Sequence, residues 1–480
     1  MNSPDSVLGL SRRRLSFVPV FAQSVAAIAP AGTAAVTPGL VIATSAGGGA
    51  LAAFAAATVV VLLVSACLRP MARRMASIGG IYSYTARALG PYVAIPTGWS
   101  AIIGYGAVGM ASLVAVGTYL THMAVSLGAT DGSPTTAIVA LVVVAAVVAV
   151  LVLIRGIRIS AGVTLAVECV SLGIGIAIFA WLWADARSSG PVEPVLTEWA
   201  GDNREFALSV VVAISAFVGF ESSTTLSGEA RRPFVSVPRT IRWTPVAAAL
   251  IYLAALPVQA LAVANAPPDV RDSSTPLVGV LIHDGTPLLA AVLDLGIAAS
   301  FFACLLASVN ALIRVVFCMA REGVAPRRLG ATHPRYRTPT TAAVATMVVV
   351  GITPVVVLAL GVAPDSALRA LLTLSACGYL GSYLAACVSA PALLRRIGES
   401  TPGVWLLSAV ATLVLGSLVV YSLYSGLRAQ NWLLAGYLAA LAVAVATTLA
   451  LRVRAPHRLA AVGIYDQTQD SDLLRAVTFR

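Results

Sequence analysis

Three carboxylates, Glu168, Glu221 and Asp294, stand inside apolar stretches where a chain of this kind should carry none. Glu221 closes the run Ser215-Ala216-Phe217-Val218-Gly219-Phe220 and is followed by Ser222, Ser223, Thr224 and Thr225. An ionisable group at membrane depth is costly, so each of the three marks a functional site by default. Gly219 and the hydroxyl cluster weaken a helix on both sides of Phe220. The run therefore reads as a broken transmembrane helix, an element around which membrane proteins build sites for small solutes.

A second interruption, Ala29-Pro30-Ala31-Gly32-Thr33, lies in the middle of the first apolar segment. Pro30 brings no N–H, and Gly32 alone permits easy close approach. A helix interrupted in mid-membrane exposes N–H and C=O groups that only a polar guest or another protein group can satisfy. Glu168 lies ten residues from Arg158, and Glu221 ten from Arg231. At the helical rise each carboxylate then sits about 15 Å from the flanking positive charge. The two should share a depth, where either could load and release a proton. Ser171 is on the face of Glu168, three residues on. Asp294 follows Pro287 by seven residues, about 10 Å into its helix, where it could line a vestibule or attract a cation.

The elements that must hold these groups are membrane helices. Only 11% of the residues are charged, 59% are hydrophobic, and the mean hydropathy is +0.91, which excludes an ordinary soluble domain. From Leu15 to Leu68 there is no charge, more than two spans' worth at roughly 20 residues each, with a turn expected at Gly47-Gly48-Gly49. Hydropathy suggests about twelve spans, near 17–41, 50–68, 92–121, 135–154, 160–184, 207–228, 243–264, 287–320, 339–361, 369–394, 404–427 and 432–451. Arginines concentrate in alternate loops, while the intervening loops hold Asp185, Glu193, Glu198, Asp202, Glu205, Asp269, Asp272 and Asp284. The positive-inside rule then places both termini in the cytoplasm of a multi-pass cell-membrane protein.

Two interrupted segments five spans apart point to an inverted repeat. The expected division is a cytoplasmic segment 1–16, a first repeat 17–184, a second repeat 207–394, two further spans in 404–451 and a cytoplasmic tail 452–480. The six cysteines lack CxxC spacing and the four histidines lie in loops or at span ends, so no metal site or cofactor is expected. The dispersed arginines argue against nucleic acid and for a lipid bilayer as surroundings. No HExxH, GxSxG or Walker sequence occurs, so a membrane-embedded enzyme is disfavoured.

Three stretches resemble the amino acid, polyamine and organocation (APC) superfamily of permeases. They are Ser77-Ile78-Gly79-Gly80-Ile81-Tyr82-Ser83-Tyr84 with Gly98-Trp99; Phe217 to Glu221 with Gly228-Glu229-Ala230-Arg231-Arg232-Pro233; and Arg314 to Phe317 with Met319-Ala320-Arg321-Glu322-Gly323 and His333 to Pro339. The resemblance implies an all-α LeuT-type fold, two inverted five-helix repeats plus two C-terminal helices, working as a secondary carrier by alternating access. It implies that a substrate carboxylate is held by N–H groups at Ala29 to Thr33 and an amino group by carbonyls at Ser215 to Phe220.

Ser215 stands where the family commonly has a bulky aromatic, and Ser171 where many proton-coupled members have lysine. The chain contains no lysine at all. Glu221, Glu168, Ser171 and Asp294 are the expected coupling or gating residues. Phe301-Phe302-Ala303, with only Ser300 nearby, replaces the hydroxyls of sodium-coupled relatives, so the expected coupling is to protons rather than sodium. The expected cargo is an amino acid or related amine. A polyamine or organic-cation carrier is the alternative, and a transporter-like nutrient receptor would look the same in sequence. Arg314 and Glu229 are expected to serve in pairs that hold the inner gate.

Overall fold

The computed structural model describes residues 10, 13–44, 49–129, 134–188, 203–264, 266–267, 270, 275–333, 338–428 and 432–464. The expected turn at Gly47 and Gly48 and the acids Glu193, Glu198, Asp202, Asp269 and Asp272 lie outside them, as do most of the segment 1–16 and the tail beyond 464.

The first apolar segment is two helices, α1 (Phe17–Ala27) and α2 (Pro30–Thr44), joined at Ile28 and Ala29. Ala29 has φ +44°, in the left-handed region, and Pro30 opens α2 where a missing N–H is harmless. Then come α3 (Ala50–Ala72), the short α4 (Ile81–Leu89), α5 (Pro91–Ser126), α6 (Pro134–Ile154) and α7 (Ile157–Ser188). The second half begins with α8 (Asn203–Ser215) and a 3₁₀ turn at Ser222–Leu226, followed by α9 (Pro233–Ala264), α10 (Pro276–His283), α11 (Pro287–Arg321), α12 (Thr340–Ala359) and α13 (Pro364–Arg396). The chain closes with α14 (Pro402–Arg428), α15 (Trp432–Arg454) and the one-turn α16 (Pro456–Ala460).

Among the described residues eleven helices, with α1 and α2 taken as one, are long and apolar enough to cross a membrane. The expected sixth span, 207–228, differs. Its helix stops at Ser215, and the rest is turns and the 3₁₀ segment, because Gly219 at φ +95° cannot continue a right-handed helix. Irregular backbone at this depth is tolerated because Ala216 to Thr225 are all buried in protein. The gap expected between the spans 207–228 and 243–264 is corrected too. Pro233 starts α9, and Pro238, Pro245 and Pro257 all lie within that helix. Proline at a helix start removes only an amide that had no partner to bond.

The centre of the molecule is the packing of α5 against α11 and α13, with α7 also against α11 and α3 against α9. The largest buried side chains include Tyr252, Tyr379, Tyr383, Phe217 and Phe220, which surround the two breaks. At the arginine-rich end, Leu15 forms a parallel bridge with Ala230: Leu15 N–H donates to Glu229 O at 3.0 Å and Arg231 N–H to Leu15 O at 2.8 Å. Past α15, the chain folds back so that Gly463 N–H donates to Glu322 Oε1 at 3.0 Å, and Tyr82 Oη donates to Glu322 Oε2.

Candidate functional site

The two breaks meet. A Cβ on Gly219 would lie 2.9 Å from the carbonyl oxygen of Ala27, so only glycine allows the second break to pass this close to the end of α1. Ser222 Oγ donates to Gln23 O at 3.2 Å and Ser223 N–H to Ser24 Oγ at 3.0 Å, fixing α1 against the 3₁₀ segment. Gln23 Nε2 donates to Ala307 O at 2.6 Å and Cys304 Sγ to Ala27 O at 3.2 Å, which ties α1 to α11. Helix ends exposed in mid-membrane must find such partners.

The carbonyls at the breaks are already engaged. Ile28 O accepts from Thr33 Oγ1 at 2.8 Å, and the Tyr252 hydroxyl on α9 lies 3.3 Å from Ile28 O and 2.8 Å from Ala216 O. A hydroxyl has one proton, so Tyr252 donates to one of the two carbonyls at a time, the shorter contact being to Ala216. The Phe217 ring stands edge-on to Tyr252 at 5.2 Å and is 1% exposed.

The amides at the start of α2 are divided among few partners. Pro30 has none, Ala31 N–H points at Glu168 Oε1 at 3.4 Å, and Thr33 N–H donates to Ala29 O at 2.8 Å. At Gly32 the Phe301 ring lies 3.0 Å from where a Cβ would be. Glu168 also accepts from Ser300 Oγ at 3.0 and 3.1 Å. A carboxylate at a helix N-terminus is well placed by the dipole. Ser300 is thus turned to Glu168. Ser171 Oγ donates to Gly296 O and serves to hold α7 on α11.

Glu221 is held separately. Tyr105 Oη of α5 donates to Oε1 at 2.8 Å, Tyr383 Oη of α13 donates to Oε2, and Gly219 N–H donates to the same Tyr383 oxygen at 3.2 Å. The carboxylate therefore joins the second break to two long helices. Asp294 lies apart on α11, fully buried, and neither of its oxygens has a hydrogen-bond partner among the described residues. Of the residues singled out from sequence at the two breaks, all are buried except Ser215, which is half-buried and donates to Val212 O at 2.6 Å.

Toward the arginine-rich end, Arg314 and Glu229 form a buried ion pair, Nη2 to Oε1 2.7 Å and Nε to Oε1 2.9 Å. Arg314 Nη1 donates to Asn310 O at 3.0 Å, and Asn310 Nδ2 to Ser160 Oγ at 2.8 Å, so one network spans α7, α11 and the segment after the second break. The site residues that sequence did not single out are Tyr105, Tyr252 and Tyr383. Each is a tyrosine on an apolar helix, and a buried hydroxyl needing a partner is the one signal it carries.

A family model described as amino acid permease matches residues 15–445. The chain is 28% identical over 335 residues to an uncharacterized transporter of Mycobacterium tuberculosis, covering 69% of each. It is 25% identical over 281 residues to a branched-chain amino acid permease of Bacillus subtilis, covering 54% of this chain and 57% of the relative. It is 30% identical over 118 residues to a D-serine/D-alanine/glycine transporter of Escherichia coli, covering 24% of each. Among solved structures it resembles a Na⁺-coupled sialic acid symporter in a substrate-bound outward-open state, with a TM-score of 0.54 over 85% of this chain and 89% of that one. At 12% identity that likeness is one of fold.

Proposed function

Because the chain belongs to the amino acid permease family and has the LeuT-type fold, we propose that it carries an amino acid across the cell membrane with a proton, taking the zwitterion between the two breaks. The single observation that supports this reading is Glu168 on the first amide of α2. That amide is half of the natural place for a substrate carboxylate, the other half being Gly32 N–H. While Glu168 is ionised it fills the amide and repels a second carboxylate. Once protonated it lets go, and the substrate takes the helix N-terminus. Proton and anion then enter together, which is symport. The substrate's ammonium would take the carbonyls of Ile28 and Ala216 in place of the Tyr252 hydroxyl.

The repeat division 17–184 and 207–394, with 404–451 as two added helices, fits breaks that sit in the first element of each half. The arginine distribution supports cytoplasmic termini. Coupling to protons ahead of sodium is favoured by the turn of Ser300 toward Glu168. Asp294, unpartnered and buried, favours a second reading, a carrier of polyamines or organic cations that lack a carboxylate.

Uptake by the purified protein in liposomes, with a panel of amino acids and polyamines and an imposed inward proton gradient, tests the proposal. Gradient-driven accumulation of a zwitterion is expected. Accumulation of amines only would transfer the role to Asp294, and binding without flux would make the protein a receptor.

A further inference from the structure

At the arginine-rich end of the α3–α9 pair lies a groove of about 370 Å³ whose walls include Arg69, Arg73, Arg239, Arg242, Phe234 and Trp243. The two helices run side by side there, since Ser65 Oγ donates to Ile241 O at 2.9 Å one turn above Arg69 and next to Arg242. Four guanidinium groups in one groove repel one another, yet among the described residues none pairs with a carboxylate. The contrast with Arg314 on Glu229 and Arg74 on Glu399 is direct. Two of the four stack on rings, Arg239 over Phe17 at 5.4 Å and Arg242 over Trp243 at 5.2 Å. Stacking fixes a guanidinium plane while leaving its N–H edge free for an oxyanion.

The surface leading away from the groove is apolar and exposed. Trp243 is 46% exposed, Leu250 67% and, on α3, Val59 58%. Leu250 stands two turns, about 10 Å, from Trp243 along α9, and Val59 ten residues, about 15 Å, from Arg69 along α3. A phosphate alone would satisfy the arginines, whereas a lipid headgroup also suits a groove walled by Trp243 on helices whose exposed apolar side chains meet acyl chains in a membrane. Going beyond the transport reading, we propose that this groove binds the headgroup phosphate of an anionic phospholipid, with the acyl chains lying along Trp243, Leu250 and Val59.

The test is native mass spectrometry of the purified full chain titrated with phosphatidylglycerol, phosphatidylcholine and, in a separate arm, inorganic phosphate. The wild type should retain phosphatidylglycerol in preference to phosphatidylcholine, and the double variant Arg69→Gln/Arg242→Gln should bind it about tenfold more weakly. The charge-matched pair Arg327→Gln/Arg328→Gln, at exposed positions elsewhere, should bind as the wild type does. Unchanged retention in the first variant, or an equal loss in the second, would overturn the site. Inorganic phosphate binding as well as the lipid would overturn its lipid nature. If the first variant does not fold, photo-crosslinking of wild type with a photoactivatable phosphatidylglycerol decides: label on residues 59–73 and 234–250 supports the groove, and label confined elsewhere refutes it.

Discussion

Arg314 and Glu229 close the arginine-rich end of the molecule as a buried ion pair at 2.7 Å, joining α11 to the segment that follows the second break. Removing one member strands the other charge away from water, which costs about 3–5 kcal/mol. Glu229→Ala should therefore lower the melting temperature and make Ser24→Cys more reactive to a thiol reagent added on the side of the arginine-rich end. Arg314→Ala/Glu229→Ala together should recover part of the lost stability, because neither charge is then left alone. A double variant no more stable than the singles would show that the pair acts through something other than its charge.

Tyr252→Phe leaves the ring beside Phe217 and removes one hydroxyl, so the carbonyl it served loses its partner. Leaving that carbonyl bare in the empty protein costs about 1–3 kcal/mol. The melting temperature should fall without substrate and be restored by substrate, and the apparent KM should fall, because an ammonium no longer displaces a hydroxyl. An unchanged KM would separate Tyr252 from the substrate's amino end.

Glu168→Gln mimics the protonated carboxyl: its charge is gone, so its hold on the Ala31 amide is loosened as it is on protonation. Substrate binding in the variant should no longer depend on pH and should match the wild type at low pH, where ionised Glu168 is scarce. Exchange across the membrane should survive and gradient-driven accumulation should vanish. The check is counterflow against uphill uptake in one liposome preparation, and accumulation retained by the variant would remove Glu168 as the proton carrier.

Glu221 should behave differently. Its two tyrosine donors reach it from α5 and α13, and hydrogen bonds to a charged group are worth about 1.5–3 kcal/mol each. Glu221→Gln keeps one good acceptor and loses the other, so both exchange and accumulation should fall by roughly tenfold or more while the protein still reaches the membrane. Tyr105→Phe should give a milder form of the same loss. A Glu221→Gln variant that exchanges normally would make the carboxylate the coupling site and not the clasp described here.

The breaks are legible in the sequence because part of their cause is local: Pro30 and Gly219 weaken a regular helix, although Pro257 and Gly104 show that neither residue type alone ends one. Hydropathy locates most of the spans, but not the end of the sixth at Ser215 or the start of α9 at Pro233. Glu168 is legible as a buried acid, but its partner is not, because Ala31 lies 137 residues away and meets it only through the packing of α2 on α7. The three tyrosines are illegible in the same sense, Tyr105 and Glu221 being 116 residues apart, and a tyrosine on an apolar helix looks like any core aromatic. Pro238 misleads in the opposite direction. It reads as a loop marker in the sequence, while Pro233 has already set the helix start five residues earlier.

The bridge between Leu15 and Ala230 has a mechanical consequence. A lever moves freely only if nothing is tied to its tip, and the tip of α1 is knotted by main-chain bonds to the strand of chain leaving the second break. Swinging α1 away from the bundle would therefore drag residues 228–231 along as passengers, and with them Glu229 and its grip on Arg314. Unlatching and swinging should thus be one event in this chain, geared together by four hydrogen bonds at residues 13, 14, 15 and 231.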